Sequence, residues 1–124
     1  MTLQEQFNDW VKRLSRSESA PRDIIAFNFG LTQKSTGYSI SVMGTKEFTE
    51  DSDDWADEAD FEPREKYLDI TYDEEETPDW DEVFEEVRVS IRDYTRSLEF
   101  QNSILRNAKA ITLGFNDEEL VRVK

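Results

Sequence analysis

Carboxylates are the side chains with the greatest chemical reach in this chain, and most of them lie together. The run Asp51-Ser52-Asp53-Asp54-Trp55-Ala56-Asp57-Glu58-Ala59-Asp60-Phe61-Glu62-Pro63 holds seven acidic residues and no basic one. From residue 47 to residue 86, twenty Asp or Glu stand against Arg64 and Lys66 alone. The rest of the chain carries nine acidic and thirteen basic side chains, so this one segment accounts for the net charge of −14. Carboxylates at such density have three uses: proton transfer, cation binding, or attraction of a positive surface.

A carboxylate that moves protons near neutral pH normally has its pKa raised by an apolar pocket. These residues sit in hydrophilic runs, so no catalytic residue and no enzymatic activity is expected. Calcium is the next test. With Asp51 first in an EF-hand loop, Asp53 and Glu62 fall on ligand positions. The position that needs glycine for the sharp turn is then Ala56, and Trp55 takes a ligand position. No dedicated metal site and no cofactor is expected. Like charges ~6 Å apart in water repel by roughly 0.7 kcal/mol per pair before screening. A surface that tolerates this is suited to meeting a basic partner. Trp55, Phe61 and Trp80 stand among the charges as large apolar anchors of the kind found at interface hot spots. The expected partner-binding residues are Asp53, Asp54, Trp55, Asp57, Glu58, Asp60, Phe61, Glu62 and Trp80. The plainer alternative is that Trp55 and Phe61 pin the loop to the body, Trp80 packs its helix, and the carboxylates are merely solvated.

Other chemistries lack their parts. The chain has no Cys, which removes disulfides, thiolate zinc sites and cysteine nucleophiles, and no His, the usual neutral-pH base and metal ligand. The serines therefore have no imidazole to activate them. Gly30, Gly37, Gly44 and Gly114 stand singly, so no phosphate-cradling loop exists. A nucleic-acid backbone would meet a repulsive field, and direct nucleic-acid binding is not expected. Residues 1–6 have neither the basic nor the apolar part of a secretory leader, and no apolar run reaches membrane-spanning length. A cytoplasmic protein without membrane contact is expected. Aromatic residues make up 12% of the chain, too many for a disordered acidic tail, and 124 residues suit one domain.

The elements that must position the acidic segment follow from periodicity. Residues 2–17 read as a helix, with Thr2 and Glu5 at capping-box spacing and Leu3, Phe7, Trp10, Val11 and Leu14 on one stripe. Alternation predicts strands at 23–31 and 38–44, joined by a turn over 32–37. Residues 45–66 lack a period and read as a long ordered loop between strands. Ala56, Ala59 and Phe61 allow a short helical turn there, limited by Pro63. A strand follows at 67–72, then the charge run Asp73-Glu74-Glu75-Glu76. Thr77 is the expected N-cap of a second helix, with Pro78 at its first position. Val83, Phe84, Val87, Ile91, Tyr94, Leu98 and Leu105 carry that helix over about seven turns. A strand at 110–115, a turn at 116–119 and an edge strand at 120–124 complete the chain. This order predicts a single α+β domain: an antiparallel sheet of about four to five strands with two main helices packed on one face.

Val42-Met43-Gly44-Thr45-Lys46-Glu47-Phe48, followed by Asp53-Asp54-Trp55-Ala56 and Asp60-Phe61-Glu62-Pro63, resembles a pattern in small bacterial immunity-type proteins of polymorphic or contact-dependent toxin systems. The resemblance covers residues 42–63. It implies a cytoplasmic, non-catalytic protein that binds and blocks a cognate toxin, often a basic nuclease. The same acidic residues carry this resemblance and the charge argument. Together they lead to an acidic protein-binding module, an immunity-like inhibitor covering a basic surface of a toxin. The alternatives are a nucleic-acid mimic acting on a DNA-binding host protein, with carboxylates strung along one elongated face, and a small carboxylate-based enzyme or ligand-binding domain, with a concave pocket and partly buried acids.

Overall fold

A computed structural model describes residues 2–72, 78–115 and 119–124. Helix α1 spans Leu3–Ser17, and its Thr2–Glu5 capping box forms in full. Its apolar stripe is buried from Leu3 to Leu14. Strands β1 (Ala26–Lys34) and β2 (Gly37–Thr45) form an antiparallel hairpin. The turn between them is shorter than the sequence suggests. Thr32, Gln33 and Lys34 stay in the ladder opposite Ser39, Tyr38 and Gly37, leaving only Ser35 and Thr36 to reverse the chain. Gly37 is required there: its φ is +155°, and a Cβ would lie 1.9 Å from the Ile70 carbonyl oxygen.

Strand β3 (Tyr67–Thr71) pairs antiparallel with β2. Helix α2 covers Trp80–Thr95, and β4 (Ala110–Phe115) and β5 (Val121–Arg122) follow. The sheet order is β3-β2-β1-β4-β5. It is mostly antiparallel, with one departure from expectation: β4 lies parallel to β1, because the chain returns through α2 and enters the sheet in the direction of β1.

Helix α2 is also shorter than its stripe implies. The N-cap is Asp79, so Pro78 precedes the cap instead of opening the helix. Thr77 and the run from Asp73 to Glu76 lie outside the described residues, as do residues 116–118 of the turn expected at 116–119. At the other end the Thr95 hydroxyl donates to the Arg92 carbonyl at 2.7 Å and the Ser97 hydroxyl to the Tyr94 carbonyl at 2.6 Å. These bonds occupy carbonyls near the end of the helix, and the chain goes over to a 3-10 turn at Glu99–Asn102. Leu98, nominally on the stripe, is 80% exposed.

Residues directly paired across strands share a face. Phe27, Phe29, Leu31, Ile40, Val42, Leu68, Ile70, Ile111 and Leu113 point to the side that carries both helices. The Phe7 ring meets Phe29 at 5.5 Å and Tyr94 at 5.8 Å between centroids, and Trp10 meets Phe29 at 6.0 Å. Burying each such side chain contributes roughly 2–3 kcal/mol. The opposite face, with Asn28, Ser41, Tyr67, Asp69 and Thr112, carries no α-helix among the described residues.

Candidate functional site

The acidic loop leaves β2 at Lys46 and folds over the end of the helix-free face. Its first anchor is aromatic. Phe48 and Trp55 meet edge-on, centroids 5.1 Å apart, and the Arg122 guanidinium of β5 lies 5.1 Å from the Phe48 ring. Arg122 also pairs with Glu50. The Asp53 carboxylate accepts the Leu120 amide at 3.2 Å, so the loop holds the approach to β5 in place. A second anchor lies at Gly44, whose amide donates to the Phe61 carbonyl at 2.8 Å, while the Asp60 and Phe61 amides donate back to its carbonyl. The Asp60 carboxylate accepts the Lys46 amide at 2.8 Å. At the far end the Trp10 indole donates to the Glu65 carbonyl at 2.7 Å, the Arg64 amide donates to Glu18, and Glu62 pairs with Lys66 at 3.3 Å. The loop is ordered by side chain–backbone bonds and by the isolated backbone bridge at Gly44 instead of a ladder of its own. Its one helical turn is a 3-10 turn at Asp54–Ala56, earlier than the Ala56–Ala59–Phe61 spacing suggests.

These anchors shape a cleft of about 480 Å³ lined by Lys46, Glu47, Asp54, Trp55, Asp57, Glu58 and Asp60. Five of the expected binding residues meet there: Asp54, Trp55, Asp57, Glu58 and Asp60. Among the described residues, Glu47, Asp54, Asp57 and Glu58 have no ion pair. Lys46 is the only cation in the lining, and its ammonium is drawn 3.5 Å from Asp23. The negative charge of the cleft is therefore turned to solvent with little internal compensation.

The other four expected residues divide differently. Asp53, Phe61 and Glu62 lie outside the lining of the cleft and make the contacts described above. Trp80 does not belong to this site. It begins α2 on the helix side and stacks on Phe115, centroids 5.1 Å apart, with half its surface exposed. Phe115 pairs with Leu31, whereas the loop lies near Thr112, which pairs with Asn28. Three residues of strand, ~10 Å, and the thickness of the sheet separate the two tryptophans. Lys46 and Glu47 line the cleft without having been among the expected residues. The signal for them was present in their position immediately after a strand that leads into the acidic run.

A second cleft of about 470 Å³ lies between α1 and the segment after α2, lined among others by Asn8, Lys12, Arg16, Tyr94 and Asn102. Its two acids, Asp9 and Glu99, are exposed, and burial pushes the Tyr94 hydroxyl pKa up. Among the described residues no three Asp or Glu converge closely enough to hold a metal ion. No described helix is long and apolar enough to cross a membrane. Compared with protein-family models, with curated proteins and with solved structures, the chain matches none.

Proposed function

We propose that this chain is a non-catalytic protein-binding module whose acidic cleft covers a basic surface of a partner protein. The resemblance over residues 42–63 gives the partner its class: a toxin, of which a nuclease with a phosphate-binding surface is the natural example, blocked in the cytoplasm. One observation carries the reading. Glu47, Asp54, Asp57 and Glu58 surround a single cleft beside Trp55, and no described lysine or arginine pairs with them. Carboxylates so placed speed encounter with a positive surface, and a half-buried tryptophan among them slows release. The mimic alternative asks for carboxylates strung along one elongated face. It draws no support from a loop whose charges gather round one cleft while those of α2 lie at the opposite end and on the other face.

The test is a triple neutralisation, Asp54→Asn with Asp57→Asn and Glu58→Gln. Recovery of bound basic protein from the native cell is expected to fall at least tenfold, ~1.4 kcal/mol, with the melting temperature unchanged or raised. Undiminished recovery with the same salt dependence would show that the cleft is not the interface.

A further inference from the structure

Among the described residues, the order of the sheet leaves β3 with a neighbouring strand on one side only. Its ladder with β2 is bracketed by two backbone bonds: Val42 N donates to the Lys66 carbonyl at 3.0 Å, and Tyr72 N to the Thr36 carbonyl at 3.1 Å. In an antiparallel pair every second residue turns its amide and carbonyl toward the partner. Lys66, Leu68, Ile70 and Tyr72 thus face β2, and the backbone groups of Tyr67, Asp69 and Thr71 point away from it. Among the described residues none of these three residues has a backbone partner. All three are exposed, Tyr67 at 59%.

The same side of β2 leads to the acidic cleft. Gly44 pairs with Phe61 where β3 would continue, three residues beyond Ser41, the partner of Tyr67. An extended chain laid along β3 would therefore run toward Asp60, whose amide donates to the Gly44 carbonyl about 10 Å farther along the sheet and which lines the acidic cleft with Asp57 and Glu58.

We propose that β3 takes up an extended segment of the basic partner as a sixth strand, with basic residues at the end nearest the cleft. The sign of this partner rests on the function proposed above; the manner of its holding is new. Three alternating amides and carbonyls supply pairing without regard to guest sequence, and the cleft supplies the preference for charge. A second copy of this chain is the poorer occupant, since it would bring together two bodies of net charge −14 and set Asp69 against Asp69.

The probe is a synthetic valine–threonine peptide flanked by lysines, compared with the same peptide methylated on every backbone nitrogen of the valine–threonine run, so that neither of its edges can pair. Titration is expected to shift the NMR amide signals of Tyr67, Asp69 and Thr71 with the first peptide and not with the second. Asp69→Pro removes an outward amide without touching the β2 ladder, and is expected to weaken the first peptide at least tenfold. The triple cleft variant is expected to weaken binding while the shifts still map to β3. Equal binding of both peptides overturns strand addition, and decides the matter even if Asp69→Pro fails to fold. A folded Asp69→Pro that binds unchanged overturns it too. Shifts confined to the cleft would overturn it while leaving the proposed function standing; no shift anywhere speaks against both. A concentration-dependent dimer in sedimentation, lost in Asp69→Pro, would overturn the choice of occupant.

Discussion

Trp55 and Trp80 each sit in a run of aspartates and glutamates, yet the fold places them on opposite faces of the sheet. Trp55 is half-covered by Phe48 and stands in a cleft whose acids lack internal partners. Trp80 lies flat on Phe115 at the start of α2, where Asp81 and Glu82 occupy the first turn. Negative charge there complements the helix dipole and has a structural use. In the loop, Asp53 and Asp60 have structural uses as hydrogen-bond acceptors, and their neighbours Asp54, Asp57 and Glu58 have none visible. Equal composition thus gives two kinds of acidic surface: one that stabilises its own element, and one left over for something else.

The sharpest way to break this contrast is to remove each ring. Trp55→Ala is expected to cost roughly 1–2 kcal/mol of stability, below the usual price of a fully buried aromatic, and to abolish partner recovery. Trp80→Ala should cost no more, and leave recovery intact. Urea titration with the same pull-down checks both; a loss of recovery on removing Trp80 would merge the two regions again. Next in size is neutralisation of the helix acids. Asp81→Asn with Glu82→Gln is expected to lower stability by about 0.3–1 kcal/mol for each charge, with partner recovery unchanged, opposite to the cleft triple on both counts.

The smallest effect is one of pH. The Arg88 guanidinium donates to Glu85 at 2.8 Å and holds the Glu85 carboxyl below its ordinary 4.5. A carboxylate with a depressed folded-state pKa adds stability above its unfolded value, and that contribution is lost as the pH falls through the folded one. Glu85→Gln is thus expected to be slightly less stable than the parent at neutral pH and equal to it once both forms are protonated, as denaturation at a series of pH values would measure. Glu58→Gln, which removes a charge without an ion pair, is expected to cause no loss at neutral pH.

Local pattern made much of this molecule legible. The Thr2–Glu5 box, the buried stripe of α1 and the alternation of Phe27, Phe29 and Leu31 each express a period set by one element's own geometry. The pattern misled where a particular hydrogen bond, near or far in the chain, decided the outcome. Thr32 to Lys34 have turn-forming side chains, yet pairing with Gly37 to Ser39 keeps them in strand. Leu98 continues the spacing of α2, but the hydroxyls of Thr95 and Ser97 engage carbonyls before it. The acidic loop could be located but not divided, because whether Asp53 or Asp54 is spent on the fold depends on the Leu120 amide, 67 residues away from Asp53. Nothing in the spacing of Trp55 and Trp80 records which face of a sheet each will reach.

The parallel seating of β4 beside β1 has a consequence for the birth of the molecule. Thr112 meets Asn28 across 84 residues of chain, so β1 stays unpaired on that flank until β4 has been synthesised. Closing so wide a separation is slow, and until it closes the Phe27–Leu31 strand is open to proteases and to neighbouring nascent chains. A chain cut short before Ala110 would lack β4 and leave that flank of β1 without its ladder.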